Sequence, residues 1–236
     1  MNVIVFDTET IDTKERAIYD LAFLVYDTEK KQKLYEINFI IEEVYDNKPL
    51  FESAYYGNKR PVYEHLLSSG KAIKTKWIYA LRHFYHIARL YKVDYITAYN
   101  LQFDKGAIEY TTQKFAQKSH VFNHFMDLTN VACLWKNAAN TIMQAKTFNA
   151  YIEDNQLYTP KGYRQGTVEI VYNYLHSDDR VQSHTAIDDI NQELDILIKI
   201  LEISKGEIIQ GIHSWVFSDY NQDIIDSKKS ERLTAI

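Results

Sequence analysis

Cysteine is almost absent, with Cys133 the single one in 236 residues. That excludes an internal disulfide framework and any zinc site built on cysteines, and it fits a reducing compartment. Proline and glycine are scarce too, at three and seven, and neither marks a linker. With no repeat or low-complexity run, the expectation is one large domain. Positive charge is in deficit: 27 Lys and Arg against 32 Asp and Glu leave a net charge of −5, the wrong sign for a uniformly basic phosphate-binding surface. No apolar run reaches membrane-spanning length before a charge interrupts it, and no basic segment followed by an apolar one opens the chain. The default expectation is a cytoplasmic protein.

What the chain does have is apolar material, 46% of residues, and aromatic rings, among them nineteen tyrosines. Tyrosine faces suit base stacking, although most tyrosines are ordinary half-buried packing. The organising stretch is Val3-Ile4-Val5-Phe6-Asp7-Thr8-Glu9-Thr10. Its short β-branched and aromatic run predicts a strand buried on both faces. Side chains two apart on a strand share a face, so Asp7 and Glu9 project together at its end. Two acids so close repel unless a cation lies between them, and oxygen ligands suit Mg²⁺ or Mn²⁺. Taken alone, the pair fits a solvated strand end equally well.

Ala17–Asp27 and Leu34–Ile41 read as two further strands, joined by a lysine-rich turn into an antiparallel meander with the first. Residues 42–76 form a long connection; Tyr55, Tyr56, Lys59, Arg60 and Tyr63 in it make either an aromatic and basic lip or plain packing on the domain's flank. Trp77–Leu90 has helical spacing, and its His83 and His86 read as solvated or hydrogen-bonded. Tyr95–Tyr99 is a fourth strand, followed by a turn and a helix to about Lys118, with Asp104 at the junction either as ligand or as simple cap. Val121–Met126 reads as a fifth apolar run before a helix opened by Asp127, and residues 129–152 as helical. His120 and His124 have zinc-like spacing but no third partner. A turn at Thr159–Gly162, a helix from Gly166-Thr167 to Leu175, a polar loop and a strong helix beyond His184 follow. Residues 211–236 read as a loosely docked tail.

That last helix begins His184-Thr185-Ala186-Ile187-Asp188-Asp189. Thr185 and Asp188 match a capping box, which leaves Asp189, beside the apolar stripe, as the acid free to lean on the sheet. His184 precedes the cap and reaches the same place. With Asp7, Glu9 and Asp104 these make one constellation, and at that point the chain resembles the DEDDh exonucleases of ribonuclease H-like fold. This family includes the proofreading subunit of bacterial DNA polymerase III, ribonuclease T and oligoribonuclease. Three motifs occur in order: Phe6-Asp7-Thr8-Glu9-Thr10, Asn100-Leu101-Gln102-Phe103-Asp104, and His184 to Asp189. The resemblance covers about residues 1–203. The family often has Thr-Gly after its first motif, where Ile11-Asp12 stands here, and a His before the second-motif Asn, where Tyr99 stands.

The resemblance implies an α/β fold with a five-stranded mixed sheet, a meander plus two parallel strands, flanked by helices. It implies an exonuclease domain over residues 1–205 carrying the 42–76 insertion, with a C-terminal extension over 206–236. It also implies 3′–5′ hydrolysis of single-stranded nucleic acid, DNA favoured over RNA, to nucleoside 5′-monophosphates. Two Mg²⁺ or Mn²⁺ ions, roughly 3.5–4 Å apart, would be held by Asp7, Glu9, Asp104 and Asp189, with His184 as general base. Thr8, Thr10, Asn100 and Phe103 would position the last nucleotide, with Ile11 as a wedge. The compact, tyrosine- and lysine-rich style resembles phage exonucleases. The alternatives are an exoribonuclease of the ribonuclease T or oligoribonuclease type, a non-catalytic nucleic-acid-binding module on the same fold, and a zinc hydrolase. A rival third motif, Tyr174-Leu175-His176-Ser177-Asp178, has the spacing of the sister group, but its Asp opens a polar loop. Asp189→Asn is therefore expected to abolish metal-dependent cleavage and Asp178→Asn to spare it; the reverse pattern in an end-labelled oligonucleotide assay would move the third motif to Asp178.

Overall fold

The computed structural model describes residues 1–116, 130–179 and 183–234. Its central strand is β1 (Asn2–Thr10), the continuous apolar run at the start of the chain. On one side β1 pairs antiparallel with β2 (Ile18–Asp27), which pairs antiparallel with β3 (Gln32–Ile41). Asp27 holds the hairpin turn by accepting the Glu29 and Lys30 N–H groups at 3.0 Å each. On its other side β1 pairs parallel with β5 (Tyr95–Ala98), and β5 pairs parallel with β6 (Asn130–Cys133). A three-residue strand, β4 (Ile73–Thr75), adds parallel to the outer edge of β3. Among the described residues the sheet thus has six strands in the order β4-β3-β2-β1-β5-β6, one more than the five expected. The extra strand lies inside the 42–76 connection, too short to show a period of two. β6 lies in the stretch read as helical; the expected apolar run Val121–Met126, with Asp127, His120 and His124, falls outside the described residues.

Alternation along β1 sorts the helices onto two faces. Val3 and Val5 face a core built on α9 (Ala186–Ser204), α8 (Val168–His176), α6 (Leu134–Ala139) and α7 (Lys146–Asp154). Ile4 and Phe6 face α4 (Trp77–Leu90) and α5 (Leu101–Phe115), where Phe84 meets Phe6 edge-on at 5.7 Å and Phe23 at 4.6 Å. Asp7 and Glu9, in phase with Val3 and Val5, therefore emerge on the α9 side.

The 42–76 connection folds into α1 (Glu42–Tyr45), α2 (Lys48–Glu52), a 3₁₀ turn at Gly57–Lys59, α3 (Arg60–Ser68) and β4. It closes a third core in which Tyr19, Phe51 and Tyr63 meet edge-to-face with centroids 5.1 to 5.9 Å apart. Arg60 lays its guanidinium 4.6 Å from the Tyr45 and Phe51 rings and donates to the Tyr45 carbonyl at 2.9 Å. Arg60 and Tyr63 are flank packing and form no lip.

The C-terminal segment is docked more firmly than expected. Gly211 pairs with β6, its N–H donating to the Val131 carbonyl at 2.7 Å. Val216 and Tyr220 are buried in the α9-side core, and Arg164 pairs with Asp223 at the start of α10 (Gln222–Thr234). Among the described residues no helix is long and apolar enough to cross a membrane.

Trp77 illustrates what holds the α4 face. Its ring is fully buried, its indole N–H donates to Thr112 Oγ1 at 3.0 Å, and its backbone N–H donates to Glu43 Oε2 at 3.0 Å. Truncation to alanine leaves a cavity and an unpartnered threonine hydroxyl. Trp77→Ala is expected to cost about 3–5 kcal/mol in urea-monitored unfolding; a loss below about 1 kcal/mol would contradict this packing.

Candidate active site

β1 delivers Asp7 and Glu9 at its C-terminal end, both half-buried. Between them Thr8 points to the opposite face, where its hydroxyl donates to Asp104 Oδ1 at 2.7 Å. Asp104 sits in the first turn of α5, 2% exposed. The turn that delivers it runs through Asn100, whose left-handed backbone (φ +59°) is one that asparagine tolerates. Phe103 is half-buried beneath the Arg16 guanidinium, 5.3 Å from its ring centroid.

From the other side comes α9. Its start is held differently from the expected capping box. The Thr185 hydroxyl donates to Asp188 Oδ2 at 3.0 Å and does not cap a backbone N–H of the helix. The first helical N–H, from Ala186, donates instead to Asp20 Oδ2 at 3.0 Å. Asp20 lies on β2 directly opposite Glu9, so a buried carboxylate on the sheet docks the positive end of the helix. This docking turns Asp189 inward, 2% exposed, and leaves Asp188 exposed. Ligand atoms of Glu9, Asp189 and His184 then lie within 4.8 Å of one another.

Burial raises Asp7, Glu9 and Asp104, and neighbouring charge adds to it at Glu9 and Asp104. Burial pushes the Asp7 carboxyl up to about 7. Glu9 is raised well above the usual range by burial, then by the charges of Asp7, Asp189 and Asp20; Asp104 is raised by burial and by Asp7. Two acids not anticipated from sequence belong to the same field. Asp20 is raised to about 7 by burial and by Asp7, and Glu193 well above its usual range by burial, Asp7 and Asp104. Glu193 accepts the Tyr99 N–H at 3.1 Å and so braces the strand-to-helix turn before Asn100. The signals for both were spatial: Glu193 is one turn beyond Asp189 on α9, and Asp20 faces Glu9 across the ladder. His184 is shifted down, by burial and by Lys59, which keeps its imidazole neutral near pH 7.

The remaining expected residues divide. Thr10 is buried, its hydroxyl donating to the Asp12 carbonyl at 3.3 Å. Ile11 is 2% exposed and packs into the third core, where its carbonyl accepts the Tyr55 N–H at 3.0 Å. It has no free face for a nucleotide, and the expected wedge is a core contact. Of the rival motif, Tyr174 packs against Phe148 and Tyr151 and shares a hydrogen bond with Thr147, while Asp178 is exposed on a loop.

A dense group of buried carboxylates, all-oxygen donors beside one imidazole, fits a hard divalent cation. Without one, the acids keep protons that the unfolded chain releases. Because Asp7 and Asp20 rise from 3.8 to about 7, the folded state binds more protons than the unfolded state between those values. Their contribution to stability is full below pH 3.8 and is lost as pH rises to about 7. In chelator the melting temperature is expected to fall over that window. Saturating Mn²⁺ at pH 7 should raise it by roughly 5–10 °C at a hundredfold excess over Kd. A flat chelator profile with no response to Mn²⁺ would contradict this electrostatic account.

No protein-family model and no curated protein matches the chain. Solved structures do. The nuclease domain of 3′hExo, a DEDDh family member bound to rAMP, superposes with a TM-score of 0.56 at 8% identity, over 89% of this chain and 96% of that one. E. coli Exonuclease I in complex with a dA16 oligonucleotide superposes at 0.53 and 13% identity, over 86% of this chain and 41% of that one. Exonuclease I from Methylocaldum szegediense gives 0.54 at 12% identity, over 92% and 42%. The chain spans about two fifths of the Exonuclease I chains. At such identities the likeness speaks for architecture: this chain has the ribonuclease H-like fold of the DEDDh exonuclease domains.

Proposed function

We propose that the protein is a metal-dependent 3′–5′ exonuclease acting on single-stranded nucleic acid, DNA favoured, and releasing nucleoside 5′-monophosphates. The observation that carries this reading is the meeting of Glu9, Asp189 and His184 within 4.8 Å, beside half-buried Asp7 and buried Asp104. Residues from β1, α5 and the start of α9 converge there from three distant parts of the chain. A binding module would gain nothing from acids packed where a phosphate must approach.

Asp7, Glu9, Asp104 and Asp189 would hold Mg²⁺ or Mn²⁺. Such ions, when bound, lower the pKa of an attacking water and offset charge on the departing 3′-oxygen. His184, neutral at working pH, accepts the proton from that water at an imidazole nitrogen. Thr8 fixes Asp104, and Asp20 fixes the helix start that carries Asp189. Asn100 and Phe103, at the start of α5, would position the terminal nucleotide. Domain limits of 1–205 and 206–236 remain part of this proposal.

The DNA preference is supported by Exonuclease I, crystallised with dA16 and with dT13. The second reading, an exoribonuclease, is favoured by one observation, the rAMP bound to 3′hExo. Matched DNA and RNA oligomers, each blocked in turn at the 3′ or the 5′ end, test both. Cleavage in Mn²⁺ is expected only with a free 3′ end, and faster on DNA. Asp7→Asn should abolish it, and His184→Ala should slow it about 10²–10⁴-fold. A His184→Ala rate within a few-fold of wild type at neutral pH would take the histidine out of the mechanism.

A further inference from the structure

His184 stands in an unusual position. Its backbone is left-handed (φ +50°), a region that side chains other than Gly, Asn and Asp rarely adopt. It lies immediately before the α9 cap residue, so the helix itself does little to fix its ring. What fixes it comes from the 42–76 insertion, more than a hundred residues earlier. The Tyr56 ring stacks on the imidazole with centroids 4.3 Å apart and planes 17° from parallel. Lys59 places its ammonium 4.1 Å from the centroid of the same Tyr56 ring and donates to the Ser183 carbonyl at 2.5 Å. One contact holds the ring of His184 and the other the backbone leading into it.

The clamp has a rigid base. Tyr55 N–H donates to the Ile11 carbonyl at 3.0 Å, tying the turn to the chain leaving β1. Gly57 sits so tightly on the end of α2 that a Cβ there would meet the Phe51 and Glu52 carbonyl oxygens at 2.7 and 2.9 Å. Beneath lies the Tyr19–Phe51–Tyr63 core, joined by Ile11. Both Tyr56 and Lys59 are therefore mounted on packed structure.

We propose that Tyr56 and Lys59 are positioning residues for His184, so that the insertion orients the general base; this rests on the nuclease reading above. The competing role, a nucleobase platform, meets a steric objection at Tyr56. The imidazole already stacks on the Tyr56 ring at 4.3 Å and the Lys59 ammonium lies 4.1 Å from its centroid, so a nucleobase stacking there would compete with contacts the ring already makes. Tyr55, 81% exposed and edge-on to Tyr56 at 4.8 Å, is the ring free to meet nucleic acid.

The test uses the full chain, an end-labelled DNA oligomer and Mn²⁺. Tyr56→Ala is expected to lower kcat by about 10–10²-fold, the scale of a small misplacement of a reacting group, with KM within about two-fold of wild type. Tyr56→Phe, which keeps the ring, should restore kcat. In a His184→Ala background Tyr56→Ala should cost nothing further, because the group it positions is gone. Proton NMR of the His184 ring supplies a readout independent of turnover: Tyr56→Ala should shift its Hε1 resonance as the stacked ring is lost, and Tyr56→Phe should not. Unchanged kcat in Tyr56→Ala, a loss confined to KM, or a loss that adds fully to that of His184→Ala would each overturn the positioning role while leaving the nuclease reading intact. A wild-type chain that cleaves neither DNA nor RNA would overturn both.

Discussion

Like charges packed out of water set the terms for this molecule. Asp7, Glu9, Asp104, Asp189, Asp20 and Glu193 crowd one end of the sheet; burial pushes the carboxyls of Asp7, Glu9, Asp104, Asp20 and Glu193 upward, and repulsion from neighbouring acids adds to it at Glu9, Asp104, Asp20 and Glu193. Such an arrangement persists only where the surrounding fold is strong enough to impose it, and where protons or cations offset the repulsion. The fold supplies that strength with a central strand buried from Val3 to Phe6 and a wholly buried neighbour, β2. The chain's few fixed hydrogen bonds at the site then do specific jobs. Thr8 holds Asp104 from behind, Asp20 anchors the start of α9, and Glu193 braces the turn at Tyr99.

This division of labour separates acids that face the cleft from acids that hold it open. Asp20 has its charge turned toward a helix N-terminus, where a negative group is stabilised. Its effect is mechanical: it sets where α9 begins, and so which of Asp188 and Asp189 points inward. The same logic applies to Glu193, whose carboxylate reaches the Tyr99 N–H in the turn that follows β5. Charge that looks excessive when counted is thus partly structural.

The 42–76 insertion shows how one segment serves two purposes. Tyr63 and Arg60 are absorbed into its own core, and Ile11 joins them from the chain just past β1. Tyr56 and Lys59, a few residues earlier, turn the other way and reach His184 and Ser183. The boundary between packing and site runs through a single turn, at Gly57.

Legible in the sequence were the features with a local cause. A β-branched run makes β1 and an apolar and aromatic run makes β2, a period of two puts Asp7 and Glu9 on one face, and the apolar stripe of α9 identifies its buried side. These carry most of the sheet and the order of the acids along the chain. What the chain's own order left open was decided by contacts between distant segments. A three-residue strand such as β4 exists only because β3 offers it an edge. Asp20 became the cap of α9 only because pairing with β1 set it opposite Glu9 and under the helix. Ile11 lost its expected place at the cleft because the insertion offered it a core. A residue's neighbours along the chain determine its backbone tendency and which side it faces; its charge partners and its exposure depend on segments that only the folded chain brings near.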